Sequence, residues 1–399
     1  MSATTRRGLL GKIGIGAAIA AAATLVAWGL ARTPFSDRAE LTTYDWRIRA
    51  TAKPSAPSGD IVLVSIDDDS VRRMAPLVGR WPWPRLAHAT LIDFLARGPA
   101  KLVVYDVLFT EPDAGRFTVG DEEWTGAESD QALADAITRS GNVVLAADAA
   151  ADELLDTSKA LQVPLDGIAS LNQPYDAGEC VERRPLVIPP IEILAKAARF
   201  IGHSFMVLDP DGPARRMTPF VRIGERDVPS LSVVAALGVH NLDASAVRPS
   251  PGHLAIGGPP IPLVEQTIPD FYEAPSRACR VLIAFRGPSL TATGIPTFNG
   301  YSFYDLFRSE IQIQQGEKPD VDPAYFKDRI VVVGASASGT YDVFSTPFGL
   351  PAPGAEIHAN AIDALLHART LRPLAMVPGG VAGTFAGALA VGIAGAVVS

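Results

Sequence analysis

Chemistry-bearing residues are scarce in this chain of 399 residues. It has two cysteines, Cys180 and Cys279, and six histidines. Two cysteines cannot build a four-cysteine zinc site, and no Cys-x-x-Cys pair is present for redox work. The histidines are dispersed, and none stands in the HExxH spacing of a zinc protease. Charged residues make up only 20% of the chain, and the acidic ones outnumber the basic ones 43 to 35, for a formal net charge of -8. A surface of that sign repels phosphates unless its basic residues are segregated, and here they are scattered, so a nucleic-acid partner is not expected. No signature of a cofactor site is found, and no cofactor is expected.

What the chain does have is apolar length. Residues 13–31 read IGIGAAIAAAATLVAWGLA without a charge, close to the roughly 20 residues that span a hydrocarbon core. Arg6, Arg7 and Lys12 precede them, and under the positive-inside rule they hold residues 1–12 in the cytoplasm. Residues after Ala31 then emerge on the other side. The competing reading is a cleaved export signal, since Arg6-Arg7-Gly8-Leu9-Leu10 resembles a twin-arginine motif. Residues 375–399 form a second uncharged run. Within it Gly379, Gly383 and Gly387 recur at the small-xxx-small spacing that lets membrane helices approach closely. The expected organisation is therefore a cytoplasmic start (1–12), a first span (13–31), an extracytoplasmic domain (32–374) and a truncated second span (375–399) in a bacterial inner membrane. In an oxidising compartment the two cysteines are free to pair; in a reducing one they are unrelated thiols.

Between the spans, short β-branched runs ending in polar turns alternate with helical patterns, the mark of a parallel sheet with crossover helices. The spacing predicts strands at 61–66, 101–107, 142–147, 280–285 and 329–333. It predicts helices at 85–97, 130–139, 190–200, 229–237, 302–308 and 355–367. Asp209-Pro210-Asp211-Gly212, between apolar runs at 202–208 and 217–223, has the turn chemistry of an antiparallel hairpin. Residues 149–190 and 241–277 read as irregular insertions, the second holding a small hairpin. The fold class is thus α/β, a mostly parallel central sheet with helices on both faces, elaborated but single.

In open α/β sheets ligands bind beyond the carboxyl ends of the strands. Asp67 follows IVLVSI, Asp106 follows KLVVY, and Gly334-Ala335-Ser336 follows RIVVV. Neighbouring strands would let Asp67 and Asp106 perturb each other or hold a cation; otherwise each caps the next helix or turn. In Gly79-Arg80-Trp81-Pro82-Trp83-Pro84-Arg85, prolines alternate with tryptophans and forbid regular helix. Trp83 with Arg80 and Arg85 would line a groove for an anion, or the rings bury against the sheet while Pro84 starts a helix. His88, one turn on, faces the same alternatives. The loop at 334–339 fails as a nucleophile elbow, because Ser338 stands where G-x-S-x-G needs glycine, and as a phosphate loop, because no lysine follows Gly339. Glu356 and His358, two apart on a helix, point to different faces. Asp342 and His358 complete the candidate ligand-binding residues, and no metal set is assigned.

These residues carry a family pattern. The chain resembles CHASE2, the extracytoplasmic sensory domain of bacterial receptors, through Asp45-Trp46-Arg47, IVLVSIDDDS at 61–70, GRWPWPR at 79–85, His88-Ala89, LVVYDVLFTEPD at 102–113 and SDQALADAI at 129–137. GHSFMVLDPDGPARRM at 202–217, FRGP at 285–288, RIVVVGASASGTYDVFSTPFG at 329–349 and PGAEIHANAIDALL at 353–366 continue it. The resemblance implies a sensor for an unknown small-molecule or envelope stimulus, working as a homodimer. Membrane helices would relay its state to a cytoplasmic output, most often an adenylate or guanylate cyclase and otherwise a kinase, absent from this chain. It implies no catalysis by the domain and carries over no ligand residues. An extracytoplasmic hydrolase or metal-dependent enzyme, or a standalone envelope protein, are the alternatives.

Overall fold

The computed structural model describes residues 21–22, 34–119, 122–149, 168, 171–268, 276–340 and 342–371. Apart from residues 21 and 22, the spans expected at 13–31 and 375–399 lie outside the described residues. Among those described, no helix is long and apolar enough to cross a membrane. Two units are taken separately: helix α1 (Pro34–Thr51) and the domain Ala52–Thr370. On α1 the buried residues Leu41, Tyr44 and Ile48 share one face at helical spacing, and Trp46 is exposed.

The domain is built on six parallel strands, β1 (Ile61–Ile66), β2 (Leu102–Leu108), β3 (Val143–Ala147), β4 (Phe200–His203), β5 (Asn299–Ser302) and β6 (Ile330–Ala335). Their spatial order is β5-β1-β6-β2-β3-β4. The four central strands are runs of Val, Ile, Leu and Ala because helices cover both their faces and leave no wet side. On one face lie α2 (Asp68–Val78), α3 (Arg85–Arg97), α4 (Gly126–Ser140), α5 (Glu192–Ala197) and α7 (Phe303–Gln314), closing a core around Val103, Tyr105, Leu91, Phe94 and Phe303. On the other lie α6 (Leu231–Val239) and α8 (Gly354–Leu366), packed on Leu102, Val104, Val144 and Val332. Each helix starts for a local reason. Asp67 accepts from the Ser70 N–H to cap α2, Thr125 and Glu128 form a reciprocal capping box on α4, and Ser230 caps α6.

Beyond the β4 edge, Ile201 packs with Leu171, Val187, Val221 and Val228 in a smaller core, so the described part of the first insertion covers that edge. Cys180 and Cys279 form a disulfide with Cα atoms 5.2 Å apart, closing a loop of 99 residues. In the unfolded chain such a loop closure is worth about 4–5 kcal/mol.

Three expectations need correction. The hairpin at 202–223 is real but short: Met206–Val207 pairs with Arg216–Met217, while 200–203 joins the central sheet and 220–223 pairs with 226–229. The cause is packing at Gly202, where a Cβ would lie 2.7 Å from the Leu231 nitrogen, so β4 is pinned to α6 before the chain can turn. The run at 280–285 is not a central strand. Ser276–Leu282 pairs with Val264–Ile268 and Arg216–Met217 in a separate antiparallel sheet, next to the disulfide. Finally, α2 and the edge strand β5 are elements that the sequence pattern did not assign.

Candidate functional site

The strands β2 and β6 lie side by side with Gly334 paired to Asp106, so their carboxyl ends open together. A cavity of about 540 Å³ sits there. Asp106, Val107 and Leu108 supply one side, Ala335, Gly339, Thr340 and Asp342 another, Ser204 and Met206 a third, and Gly354 with His358 the floor. Trp81 and Phe344 complete the wall.

Local structure delivers each polar group. Asp106 points from β2 toward α8, because Gly334 beside it has no side chain; a Cβ there would stand 2.4 Å from that of Ala355. The loop after β6 is fastened by Ser336 and Ala337 N–H groups on the Ile66 carbonyl, and by Ser338 bonded through its N–H and hydroxyl to Asp68 at 3.0 and 2.8 Å. The antiparallel pair Val343–Ser345 and Pro351–Pro353 then brings the chain back, so that the Gly354 N–H donates to the Asp342 carbonyl. The Asp342 carboxylate lies over the first residue of α8, where a Cβ on Gly354 would come within 2.6 Å of it. His358, one turn along α8, faces the cavity with Nδ1 3.2 Å from Ser232 Oγ on α6.

The electrostatics are unusual. Burial pushes the Asp106 carboxyl up to about 7. Burial, reinforced by the Asp106 charge and opposed by His358, pushes Asp342 up to about 7 as well. The two carboxyls titrate as a pair rather than singly. Burial drives His358 down to about 4, against the Asp342 charge and a backbone hydrogen bond at Ser204. Behind it, His203 is held down at about 3 by burial, and neither of its ring nitrogens has a hydrogen-bond partner among the described residues. A pair of carboxyls near neutrality beside a neutral imidazole can exchange a proton, accept donors or neutralise a cation.

The structure brings Asp106, Asp342 and His358 together and leaves the other sequence candidates elsewhere. Asp67 is the α2 cap, accepting from Ser70 N–H at 2.7 Å and from Ser302 Oγ at 3.0 Å. Trp83 is buried among Trp81, His88 and Phe303, so it is Trp81 that reaches the cavity. Arg85 is engaged by the Glu111 carbonyl at 3.0 Å and lies over the Phe109 ring, and Arg80 is exposed and not among the cavity residues. Sequence reasoning passed over Ser204, Met206 and Phe344. The available signal was that 204–206 follow β4, yet a strand end reads as such only once the hairpin boundary is known.

Among the described residues, no group of three or more His, Cys, Asp or Glu side chains is placed to share a metal ion. No curated protein and no solved structure matches the chain. One family model does, that of the CHASE2 domain, over residues 19–397. That match spans nearly the whole chain, and five of the quoted motifs, at 79–85, 102–113, 202–217, 329–349 and 353–366, supply the cavity's lining; the chain belongs to the CHASE2 family, a family of extracellular sensory domains.

Proposed function

We propose that this chain is the sensory module of a bacterial transmembrane receptor and that the cavity between β2 and β6 is where its stimulus is received. The observation that carries this reading is the placement of His358. It contacts the cavity from α8, and only a short stretch of sequence separates Leu366, the end of that helix, from the span expected at 375–399. A ligand that prefers one of two positions of α8 would bias the membrane segment by its difference in affinity for the two. In this reading the module works as a dimer, and the output it governs is a cytoplasmic enzyme such as an adenylate or guanylate cyclase. The Cys180–Cys279 disulfide supports an extracytoplasmic domain, since reducing compartments do not sustain structural disulfides. A fusion of alkaline phosphatase after Thr370 tests this: it is expected to be active, and activity only for a cytoplasmic reporter at that point would sink the topology.

One observation favours the hydrolase alternative, namely the two carboxyls near 7, the range of a general acid or base. Assaying phosphoester and acyl substrates with and without divalent ions separates the two. The sensor reading expects no turnover, and turnover abolished by Asp106→Asn would replace it with the enzyme.

A further inference from the structure

The buried carboxylates of this domain are otherwise neutralised from within. Asp209 receives Arg215 and Arg216, Asp227 receives Arg222, Glu182 receives Arg280, Glu310 receives Arg97 and Asp363 receives Arg369. Glu356 is held by the Ser289 side chain. Asp106 and Asp342 depart from this pattern. Among the described residues, neither side chain has a hydrogen bond or an ion pair, and no lysine or arginine lines their cavity.

We infer that the cavity takes a small organic cation, an amine or ammonium compound, whose positive charge sits between Asp106 and Asp342 and whose carbon skeleton lies against Trp81, Met206 and Phe344. The inference rests on the reading of this cavity as the stimulus site. Three observations narrow the chemistry. Two carboxylates without a counter-charge repel anions and gain most from a cation. A space of about 540 Å³ is the size of a small-molecule pocket and far larger than a bare ion. Two carboxylates with no third ligand among the described residues are a poor metal site, whereas aromatic and thioether walls suit a weakly hydrated ammonium group.

The free pair holds a proton near neutral pH, and a bound cation displaces it. The other titratable groups that face it are His358 on α8 and, behind that, His203 at the end of β4 with Arg184 near it. Both histidines stay neutral until about 4 or below, so the carboxyl pair alone sets the pH response in the neutral range. Affinity for the cation therefore falls as pH drops below about 7, by up to about tenfold per unit for one displaced proton.

The test uses the whole chain in detergent, with thermal-shift and calorimetric titrations against choline, ethanolamine and putrescine. Glycerol, acetate, magnesium and calcium serve as neutral, anionic and metal controls. We expect at least one amine to raise the melting temperature, to bind about fivefold more weakly at pH 6 than at pH 7, and to lose roughly 100-fold in affinity in Asp106→Asn and Asp342→Asn. Melting of the ligand-free variants shows that they fold. Binding of glycerol, acetate or a metal ion that depends on Asp106 would overturn the cation assignment and leave the cavity as the site. Amine binding untouched in the double variant would overturn the site itself. Silence of all three amines in the wild-type chain counts against the inference.

Discussion

Two sets of acidic side chains lie only a few strands apart and behave in opposite ways. In the flanking region, Asp209 is buried yet clasped by Arg215 at 3.1 Å and Arg216 at 2.6 Å, and Glu182 meets Arg280 at 2.9 Å within two residues of the disulfide on both strands. At the sheet end, Asp106 and Asp342 are brought together with no such partner. The first set spends its charge on holding loops in place; the second keeps it available. Among the described residues, the uncompensated pair lies at the open ends of the strands, apart from the ion pairs that hold the flanking loops.

The largest effect is expected where the paired region is broken. Replacing both Cys180 and Cys279 by serine should lower the unfolding free energy by about 4 kcal/mol, read by urea denaturation, because a 99-residue loop is released in the unfolded chain. Arg215→Ala should cost about 3 kcal/mol by the same measure, since it strands the buried Asp209 with only Arg216 opposite. A loss below about 1 kcal/mol would mean that the Asp209 ion pairs do not support the fold.

The cavity pair should respond with the other sign. A carboxyl whose folded pKa is raised stabilises the fold below its unfolded value near 4, and that contribution is lost as pH rises through about 7. Asp106→Asn should therefore stabilise the ligand-free domain at pH 8, by on the order of 1 kcal/mol after solvent screening, and do nothing at pH 4. Destabilisation at pH 8 would mean that the pair is structural after all. The histidines act on the acid side. His88 and His203 are pushed down to about 3 and His358 to about 4, so their neutral forms support the fold above pH 6.5, and that support fades as pH falls toward 4. His88→Phe should flatten the fall in melting temperature between pH 6.5 and 4. Smallest of all, Arg277→Ala, which removes an exposed partner of Glu265, should change stability by less than about 0.5 kcal/mol.

The architecture was legible where the sequence repeats one signal. IVLVSI, LVVYDVL and VVLAA are too apolar for anything but buried parallel strands, and Asp106 at the end of one of them marked the cavity from the outset. Elsewhere neighbours decided. Asn299-Gly300-Tyr301-Ser302 has little β-propensity and pairs only because β1 offers it an edge. The start of α2 looked like a turn because its cap Asp67 and first two residues Asp68 and Asp69 are aspartates, which favour turns, and Pro76 sits within the helix. Asp67 and Asp106 end strands separated by β6, and only the sheet order shows that the carboxylate meeting Asp106 comes from residue 342 instead. The choice of Trp81 over Trp83 likewise depends on which ring the helix start turns inward.

The first eleven residues of α8 are buried without interruption, from Gly354 to Ala364. A helix gripped on all sides can neither bend nor fray there, and its rise from His358 to Leu366 is about 12 Å. If the cavity receives a stimulus, such a helix would carry a displacement of its first turn to its last as one rigid body, and the close approaches at Gly354 and Gly334 leave no room for a side chain at that turn.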